Sequence, residues 1–264
     1  MNLLQERGMT IRLDLNCDMG ESFGAWRMGD DEAVLAHVTS ANVACGFHAG
    51  DARTMQRTVR LAHARGVAIG AHPSLPDLQG FGRREMRVTP EEVHGFVLYQ
   101  VGALAGICRA AGGRLHHVKP HGALYNMAAR DAGLAEAIAH AVRDFDPQLV
   151  LYGLAGSELI RAARAAGLRA ASEAFADRTY QADGSLTPRS RADAMIGDAA
   201  SAVAQVERMV RRGEVVATDA TVVRIEAHTL CIHGDEPGAA TFARAVRTAL
   251  ENWGVQVGPV TGGT

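Results

Sequence analysis

Residues 11–20, IRLDLNCDMG, combine the two features that decide the fold of this chain. Residues 11–17 alternate in character and are rich in apolar side chains, which predicts a β-strand. Residues whose side chains can bind a ligand or transfer a proton lie at the end of that strand, where Asn16 and Asp18 are followed closely by Glu21. A strand that ends in polar side chains is the pattern that the rest of the chain repeats.

Short apolar runs alternate with helical patterns along the chain. Strands are predicted at 11–17, 41–44, 67–71, 115–118, 149–152, 168–171 and 229–232, the last strand of the chain. Helices are predicted at 30–37, 51–66, 89–112, 124–145, 157–167, 198–212 and 237–253, with a hairpin at 215–226. The clearest helix start has Thr89 at the N-cap, Pro90 at the first helical position and Glu92 completing a capping box.

Strands that alternate with helices indicate parallel pairing with right-handed crossovers. About seven such units in 264 residues favour an α/β barrel, and an open doubly wound sheet is the alternative. We expect a single domain over residues 1–264, with residues 1–10 as a ragged leader.

The composition argues against nucleic acid and membranes as partners of this chain. A net charge of −2 and the absence of a basic face indicate neither a nucleic-acid nor a membrane-surface protein. Charged residues interrupt the apolar stretches, and residues 1–10 lack the apolar core of a signal peptide. The four cysteines form no CxxC pair, which predicts reduced thiols and a cytoplasmic protein.

The polar ends of the predicted strands supply the candidate site, because in a parallel barrel these ends meet at one mouth. The catalytic candidates are Asp18, Glu21, His48, His72, Lys119, His121 and His233. The substrate-binding candidates are Asn16, Asn42, Glu173, Arg178 and Asp235. For the asparagines and Asp18 the competing interpretation is a capping or turn role, and for the histidines a structural one.

The segment 119–122, KPHG, carries the strongest local signal. Lys119 is the one lysine among 27 basic residues, which indicates a place where arginine cannot substitute for a compact, tunable charge. Pro120 stiffens the turn and Gly122 permits close backbone approach. Phosphate-binding GxxxxGK[ST] and GxGxxG motifs are absent from the sequence, and so is a GxSxG nucleophile elbow.

Seven segments together resemble the LamB/YcsF family. They are LDLNCDMGESFG (13–24), ANVACGFHAGD (41–51), GAHPSLPD (70–77), GFGRR (80–84), VKPHGALYN (118–126), EAFADRTY (173–180) and CIHGD (231–235). The resemblance covers residues 12 to about 257. It implies a distorted seven-stranded barrel related in form to the polysaccharide deacetylases. It also implies cleavage of 5-oxo-L-proline to L-glutamate coupled to ATP hydrolysis, together with two further subunits, B and C.

The residues of this chain indicate how the steps of such a reaction are shared between the subunits. Without a phosphate loop of its own, this chain is expected to leave ATP to subunits B and C and to hydrolyse or channel the activated lactam. Asp18 or Glu21 is expected to act as the general base on water. Lys119 and Arg178 are expected to bind the substrate carboxylate or the phosphate.

The role of the histidines stays open between two possibilities. His48, His72 and His233 can relay protons, or they can bind a divalent metal as in the related deacetylases. Two other classes of function also stay open: a stand-alone metal-dependent amidohydrolase or deacetylase, and a non-catalytic substrate-binding subunit.

Overall fold

Seven parallel strands form a closed barrel in the computed structural model, which describes residues 11–233 and 238–261. The strands are β1 (Arg12–Met19), β2 (Ser40–Ala44), β3 (Ala68–His72), β4 (Leu115–Val118), β5 (Val150–Leu154), β6 (Arg169–Phe175), β7 (Glu214–Val216), β8 (Val222–Arg224), β9 (Thr229–Ile232) and β10 (Gln256–Val257). The barrel order is β1-β2-β3-β4-β5-β6-β9, and pairing of β9 with β1 closes it. The predicted seven-stranded barrel is confirmed.

Helices follow most strands, as predicted. They are α1 (Asp31–Val34), α2 (Ala52–Ala64), α3 (Pro90–Ala110), α4 (Gly122–Arg130), α5 (Ala132–Phe145), α6 (Glu158–Ala165), α7 (Ala199–Arg212) and α8 (Ala239–Asn252). The predicted hairpin is present, since β7 and β8 pair antiparallel. The expected leader and the expected helix start at Pro237 lie outside the described residues.

Two predictions about the elements are wrong. The continuous helix over 124–145 is divided into α4 and α5 at Asp131, whose backbone is extended (φ −112°, ψ 110°) and whose carboxylate accepts the N–H of Leu134 as the N-cap of α5. The strand at 229–232 is not the last one, because β10 follows and pairs with the start of β1. Two residues are too few to produce an alternating pattern.

The longest helix, α3, begins with the predicted capping box: Thr89 Oγ1 accepts from the N–H of Glu92, and the Glu92 carboxylate accepts from the N–H of Thr89. Its length and composition would suffice to cross a membrane. In this fold Val97, Val101 and Leu104 are fully buried, and α3 packs against α5 and β3.

The barrel wall separates two environments, and β1 shows both. Leu13, Leu15 and Cys17 face outward and belong to the large apolar cluster shared with the helices. The residues between them point inward, where Asp14 and Asn16 bond to side chains from other strands. Period-two alternation therefore places an apolar layer outside the barrel and a polar column inside it.

One end of the barrel interior, which we call the floor, is packed. Val150, Tyr152 and Ala171 form a small apolar cluster there, with Val260 against it. The ring of His116 donates from Nε2 to the carbonyl oxygen of Val260 at 2.9 Å. The C-terminal segment thus covers the floor, and the strand tips that carry the predicted site residues lie at the opposite end, the mouth.

Asp14 stands just inside the floor and is held by hydroxyl groups. Its Oδ1 accepts from Thr39 (2.6 Å) and Ser40 (2.7 Å), and its Oδ2 accepts from Tyr152 (3.0 Å) and Thr229 (2.6 Å). Burial raises the pKa of Asp14 despite these four hydrogen bonds. All four donors are neutral, so Asp14 ties neighbouring strands and loops together without a cationic partner among them.

Candidate active site

The mouth of the barrel contains a cavity of about 640 Å³, within the usual size range of small-molecule sites. Six of the predicted site residues line it: Asp18, His72, Lys119, His121, Arg178 and His233. They come from the ends of several strands and from the loops that follow, so parallel closure brings distant segments together as predicted. Asp235 lies outside the described residues.

Lys119 stands at the base of this cavity with four acceptors around its ammonium group. Nζ lies 2.9 Å from Asp18 Oδ1, 2.9 Å from Glu173 Oε1, 3.0 Å from Cys231 Sγ and 3.2 Å from Asn16 Oδ1. The side chain is almost completely buried, at 2% exposure. An ammonium group has three protons, so these neighbours already occupy them.

Lys119 and Asp18 each stabilise the charged form of the other. Burial alone lowers the pKa of Lys119, but Asp18, Cys231 and Glu173 outweigh it and hold that pKa well above its usual value. Burial raises the pKa of Asp18, but His72 and Lys119 outweigh it and hold the pKa well below its usual value. At neutral pH the site therefore holds a charged lysine against a charged Asp18.

Three residues predicted to bind substrate lie beneath Lys119. Asn16, Asn42 and Glu173 are fully buried and do not line the cavity. Asn16 Nδ2 donates to Glu173 Oε1 at 3.0 Å, and Asn42 Nδ2 donates to Asn16 Oδ1 at 2.7 Å and to Asp18 Oδ1 at 2.9 Å. Their position favours holding Asp18 and Lys119 in place over direct contact with substrate.

This layer joins the mouth to the floor. Thr229 Oγ1 accepts from Asn16 and donates to Asp14, while His117 Nε2 lies 2.7 Å from Asn42 Oδ1. The ring of His117 stacks on Tyr152 at 4.2 Å. The polar column is therefore one connected network of hydrogen bonds.

A second group, which we call the histidine cluster, consists of Glu21, His48, His72 and His121; His72 and His121 line the cavity, and Glu21 and His48 lie behind them. All four residues are buried, and each offers one ligand atom within 4.8 Å of the others. His48 and His121 stack with ring centroids 3.8 Å apart, and His121 Nδ1 lies 2.9 Å from His72 Nε2. His72 Nε2 also lies 3.3 Å from Asp18 Oδ2, which connects the cluster to the lysine site.

Gly82 lets the loop after β3 close over this cluster. Its φ of +63° is accessible to glycine, and a Cβ there would lie 2.8 Å from His48 Cβ and 3.0 Å from His121 Cδ2. The carbonyl of Gly82 accepts from the N–H of Ala123 at 2.8 Å, at the start of α4. The GFGRR segment therefore acts as a cover for the histidines.

His233 belongs to the other side of the cavity and not with His48 and His72, with which the sequence grouped it. Its Nδ1 lies 2.8 Å from Asp177 Oδ2, and its backbone N–H donates to the same carboxylate at 2.9 Å. Burial raises the pKa of Asp177, but His233 outweighs it and the pKa is lowered. Asp177 thus orients the ring and leaves Nε2 for the cavity.

Arg178 and Arg189 bring two positive charges to the cavity wall. Arg178 donates from Nε to the carbonyl of Ala194 and from Nη2 to that of Thr187, which anchors the loop after β6. Burial and the neighbouring Arg189 lower the pKa of Arg178 to about 10. Two guanidinium groups that repel each other form a positive region suited to an anion.

Sequence reasoning missed three residues of the site. Asp177 orients His233, Tyr125 donates its hydroxyl to Glu173 Oε2 at 2.7 Å, and His117 holds Asn42. Both Asp177 and Tyr125 lie inside segments already singled out, EAFADRTY and VKPHGALYN. Their partners are 56 and 48 residues away, so only the closed barrel reveals the contacts.

Comparison with known proteins places the chain among related sequences. The model of the LamB/YcsF family matches residues 13–264. A protein of Bordetella pertussis, named as the A subunit of 5-oxoprolinase, is 67% identical over 94% of this chain and 99% of its own length. The crystal structure of the lactam utilization protein from Thermus thermophilus is 52% identical, with a TM-score of 0.89 over 95% of this chain and 100% of that one. A deacetylase solved with its substrate aligns at 13% identity and a TM-score of 0.49, covering 94% of this chain and 87% of that one.

Proposed function

The chain belongs to the LamB/YcsF family, and from this premise we propose that it is the A subunit of an ATP-dependent 5-oxoprolinase. One observation carries the proposal: a relative with that name is 67% identical across 94% of this chain. The substrate is 5-oxo-L-proline, and the partners are subunits B and C. Use of ATP and the composition of the chain favour a cytoplasmic enzyme.

The chemistry explains why ATP is needed. An unactivated lactam resists water, so its oxygen is first phosphorylated by ATP, which releases ADP. Water then adds to the ring carbon, the ring nitrogen takes a proton, and the carbon–nitrogen bond breaks to give an open-chain acyl phosphate. A second water releases phosphate and completes L-glutamate.

We assign the first of these steps to subunits B and C. The sequence of this chain has neither of the two common phosphate loops, whereas its mouth is rich in carboxylates and histidines. Such groups suit proton transfer to and from water and a leaving nitrogen.

Asp18 is the proposed base for the attacking water. Lys119 and Asn42 hold its Oδ1, and this leaves Oδ2 toward His72 and the cavity. Its low pKa keeps the carboxylate ionised at neutral pH, and fixed neighbours remove the need to reorganise during proton transfer.

His233 is the proposed acid for the leaving nitrogen. Asp177 holds Nδ1 and orients the ring, so Nε2 is the nitrogen that can deliver a proton into the cavity. Asp18 and His233 each offer an atom within 4.8 Å of the other, which places base and acid around one small volume.

The positive charges of Arg178 and Arg189 are proposed to bind the substrate carboxylate or the transferred phosphate. Lys119 was expected to share that role, but its ammonium protons are directed to Asp18, Glu173, Cys231 and Asn16. We therefore give Lys119, Asn16, Asn42 and Glu173 positioning roles.

The test is glutamate and phosphate release from 5-oxo-L-proline and ATP, measured with this chain alone, with B and C alone, and with all three. The proposal expects glutamate in the full mixture and in neither partial one. The histidine cluster favours a second candidate, a stand-alone metal-dependent amidohydrolase. Amide cleavage by this chain alone, without ATP and sensitive to a chelator, would replace the proposed function by that one.

A further inference from the structure

The outer face of α3 is unusually apolar for a helix at the surface of a protein. Between Glu92 and Arg109 the helix carries no Asp, Glu, Lys or Arg, and only 33% of the residues in an apolar 18-residue stretch of it are buried. A helix whose outer face meets water normally carries charged and polar residues there. An apolar helix face that is exposed to this extent indicates that another molecule covers it.

Two large apolar side chains project from this face. Tyr99 is 66% exposed and Leu98 is 36% exposed. The ring of Tyr99 is nevertheless held in place, because it stacks on Phe47 with the ring centroids 5.6 Å apart, and Phe47 packs edge-on against Phe96 at 5.8 Å. An aromatic side chain that is both exposed and fixed loses little conformational entropy on binding, which is typical of the residues that dominate protein–protein interfaces.

Three glycines lie on the same face of α3. They are Gly95, Gly102 and Gly106, and each is exposed or half-buried. Within the described part of the chain, a Cβ would meet no atom within 4 Å at Gly95 and Gly106, and at Gly102 it would meet only Phe145 Cε2 at 4.0 Å. The fold of one chain therefore does not require these glycines, although glycine destabilises a helix interior relative to alanine. Glycines on this face instead allow the backbone of a second helix to approach closely.

The spacing of these residues points to a second copy of α3 as the occupant. Tyr99 and Gly102 lie at equal distances on either side of the point between residues 100 and 101, and so do Gly95 and Gly106. When two copies of α3 pack antiparallel about a two-fold axis at that point, Tyr99 of one protomer faces Gly102 of the other. Gly95 then faces Gly106, where any small residue suffices. The pairing brings no charges together, and a face that is complementary to itself is what an isologous dimer requires.

We propose that this chain forms a symmetric dimer through the outer face of α3, with the two copies of α3 antiparallel. The 21 residues of α3 make it about 31 Å long. A standard interface of about 800 Å² per partner is about 28 Å across, so α3 can span one. None of the described residues that line the mouth cavity belongs to α3. The dimer therefore leaves the cavity open, and the inference goes beyond the proposed function.

The first experiment measures the mass of the full, untagged chain by sedimentation velocity over a wide range of concentrations. We expect the wild type to dimerise, with the dimer favoured as the concentration rises. Tyr99→Ala removes the projecting ring and Gly102→Gln fills the space that the ring enters, so each should weaken dimerisation at least ~100-fold. Trp26→Ala is the matched control and should dimerise as the wild type does, because Trp26 is also 66% exposed but lies in the loop after β1.

Gly102→Gln is the sharper of the two variants, because the monomer has room for it. The added Cβ meets only Phe145 Cε2 at 4.0 Å, and glutamine favours a helix more than glycine does. Far-UV circular dichroism and the melting temperature of the monomer should therefore show an intact fold, which separates loss of the dimer from loss of structure.

A second experiment tests the antiparallel pairing directly. The four native cysteines are buried, so a cysteine introduced on the outer face of α3 is the one available for a disulfide between chains. A mixture of Gly95→Cys and Gly106→Cys chains should form an intermolecular disulfide on mild oxidation. Neither variant should do so alone, because the two-fold axis places like positions about 16 Å apart along the helices.

A wild-type chain that stays monomeric at every concentration would overturn the proposal. So would a folded Gly102→Gln chain that dimerises as the wild type does, an equal loss in Trp26→Ala, or a disulfide in either cysteine variant alone. Binding of subunits B and C to a monomeric wild type, lost in Tyr99→Ala, would assign the face to a partner protein and exclude the dimer. None of these measurements uses substrate, so failure of the dimer is distinguishable from failure of the proposed 5-oxoprolinase function.

Discussion

Asp14 and Asp18 lie on the same strand, point into the same barrel and are both buried, yet their pKa values shift in opposite directions. Asp14, near the floor, is surrounded by hydroxyl groups, and burial raises its pKa. Asp18, at the mouth, lies against Lys119 and beside His72, and these neighbours lower its pKa despite burial.

This difference indicates that the polar column has two parts, a structural part at the floor and a chemically active part at the mouth. The four groups that donate to Asp14 are uncharged hydroxyls. The mouth instead holds an ammonium group, four carboxylates and several imidazoles around or beside a cavity. The floor should therefore govern stability, and the mouth should govern activity.

The largest expected effect comes from Asp18→Asn. The variant keeps the shape but removes the proposed base, so glutamate formation by the complete enzyme should fall by ~10²–10⁴-fold. Far-UV circular dichroism should show the same fold. Asp144→Asn, a surface variant, is the control and should retain full activity. An Asp18→Asn enzyme that retains most of its activity would remove the distinction between mouth and floor.

Asp14→Asn should have the reverse profile. The amide nitrogen replaces one acceptor oxygen with a donor that faces hydroxyl donors, so the free energy of unfolding should fall by about 2 kcal/mol. Glutamate formation per folded molecule should stay close to that of the wild type. Urea unfolding and activity assays on the same preparation check this. Unchanged stability together with lost activity would contradict the structural role of the floor.

Gly70→Ala tests the layer that joins the two regions. A Cβ at Gly70 would clash with the ring of His117, whose contact with Asn42 supports Asp18. We expect a loss of about 1–3 kcal/mol in the free energy of unfolding, and reduced activity as well. Gly95→Ala, in α3, is the matched control because a Cβ there meets nothing within 4 Å. Loss of stability without loss of activity would show that the two regions are independent.

The smallest expected effect is in the pH dependence of stability. The folded pKa of Asp14 is raised above the ordinary value of 3.8, so the folded chain holds this proton more tightly than the unfolded chain does. The stabilisation is complete below about pH 3.8 and is lost as pH rises through the raised value. The stability difference between wild type and Asp14→Asn should therefore shrink as pH rises through the raised pKa of Asp14. A difference that grows with pH in urea unfolding would reverse this assignment.

Much of this architecture follows from local patterns. Alternation and the helix-start signals at Thr89, Asp51 and Ser157 predict most elements, and parallel closure then predicts that the strand tips meet. The composition alone distinguishes Lys119. These predictions succeed because each depends on residues close together in the sequence or on a general property of parallel barrels.

The features of the site that the sequence did not predict depend on how deep each side chain lies in the barrel and on contacts between residues far apart in the sequence. Alternation predicts that Asn16 and Asn42 face inward, but not that the stagger of the strands places them beneath the cavity. The pairing of His233 with Asp177 and the grouping of His121 with His48 depend on loop paths that no local pattern specifies. The division of the helix at Asp131 was missed because the apolar pattern continues on both sides of it.

The burial of the one lysine has a practical consequence for chemical labelling. Amine acylation requires a neutral, accessible amine, and Lys119 is charged, 2% exposed and in contact with two carboxylates. In the folded chain, amine-reactive reagents should therefore leave Lys119 unmodified, and a cross-linker should not join this chain to a partner through a lysine side chain. Acylation of Lys119 instead becomes a direct measure of how often the mouth opens, and a partner protein that covers the mouth should slow it.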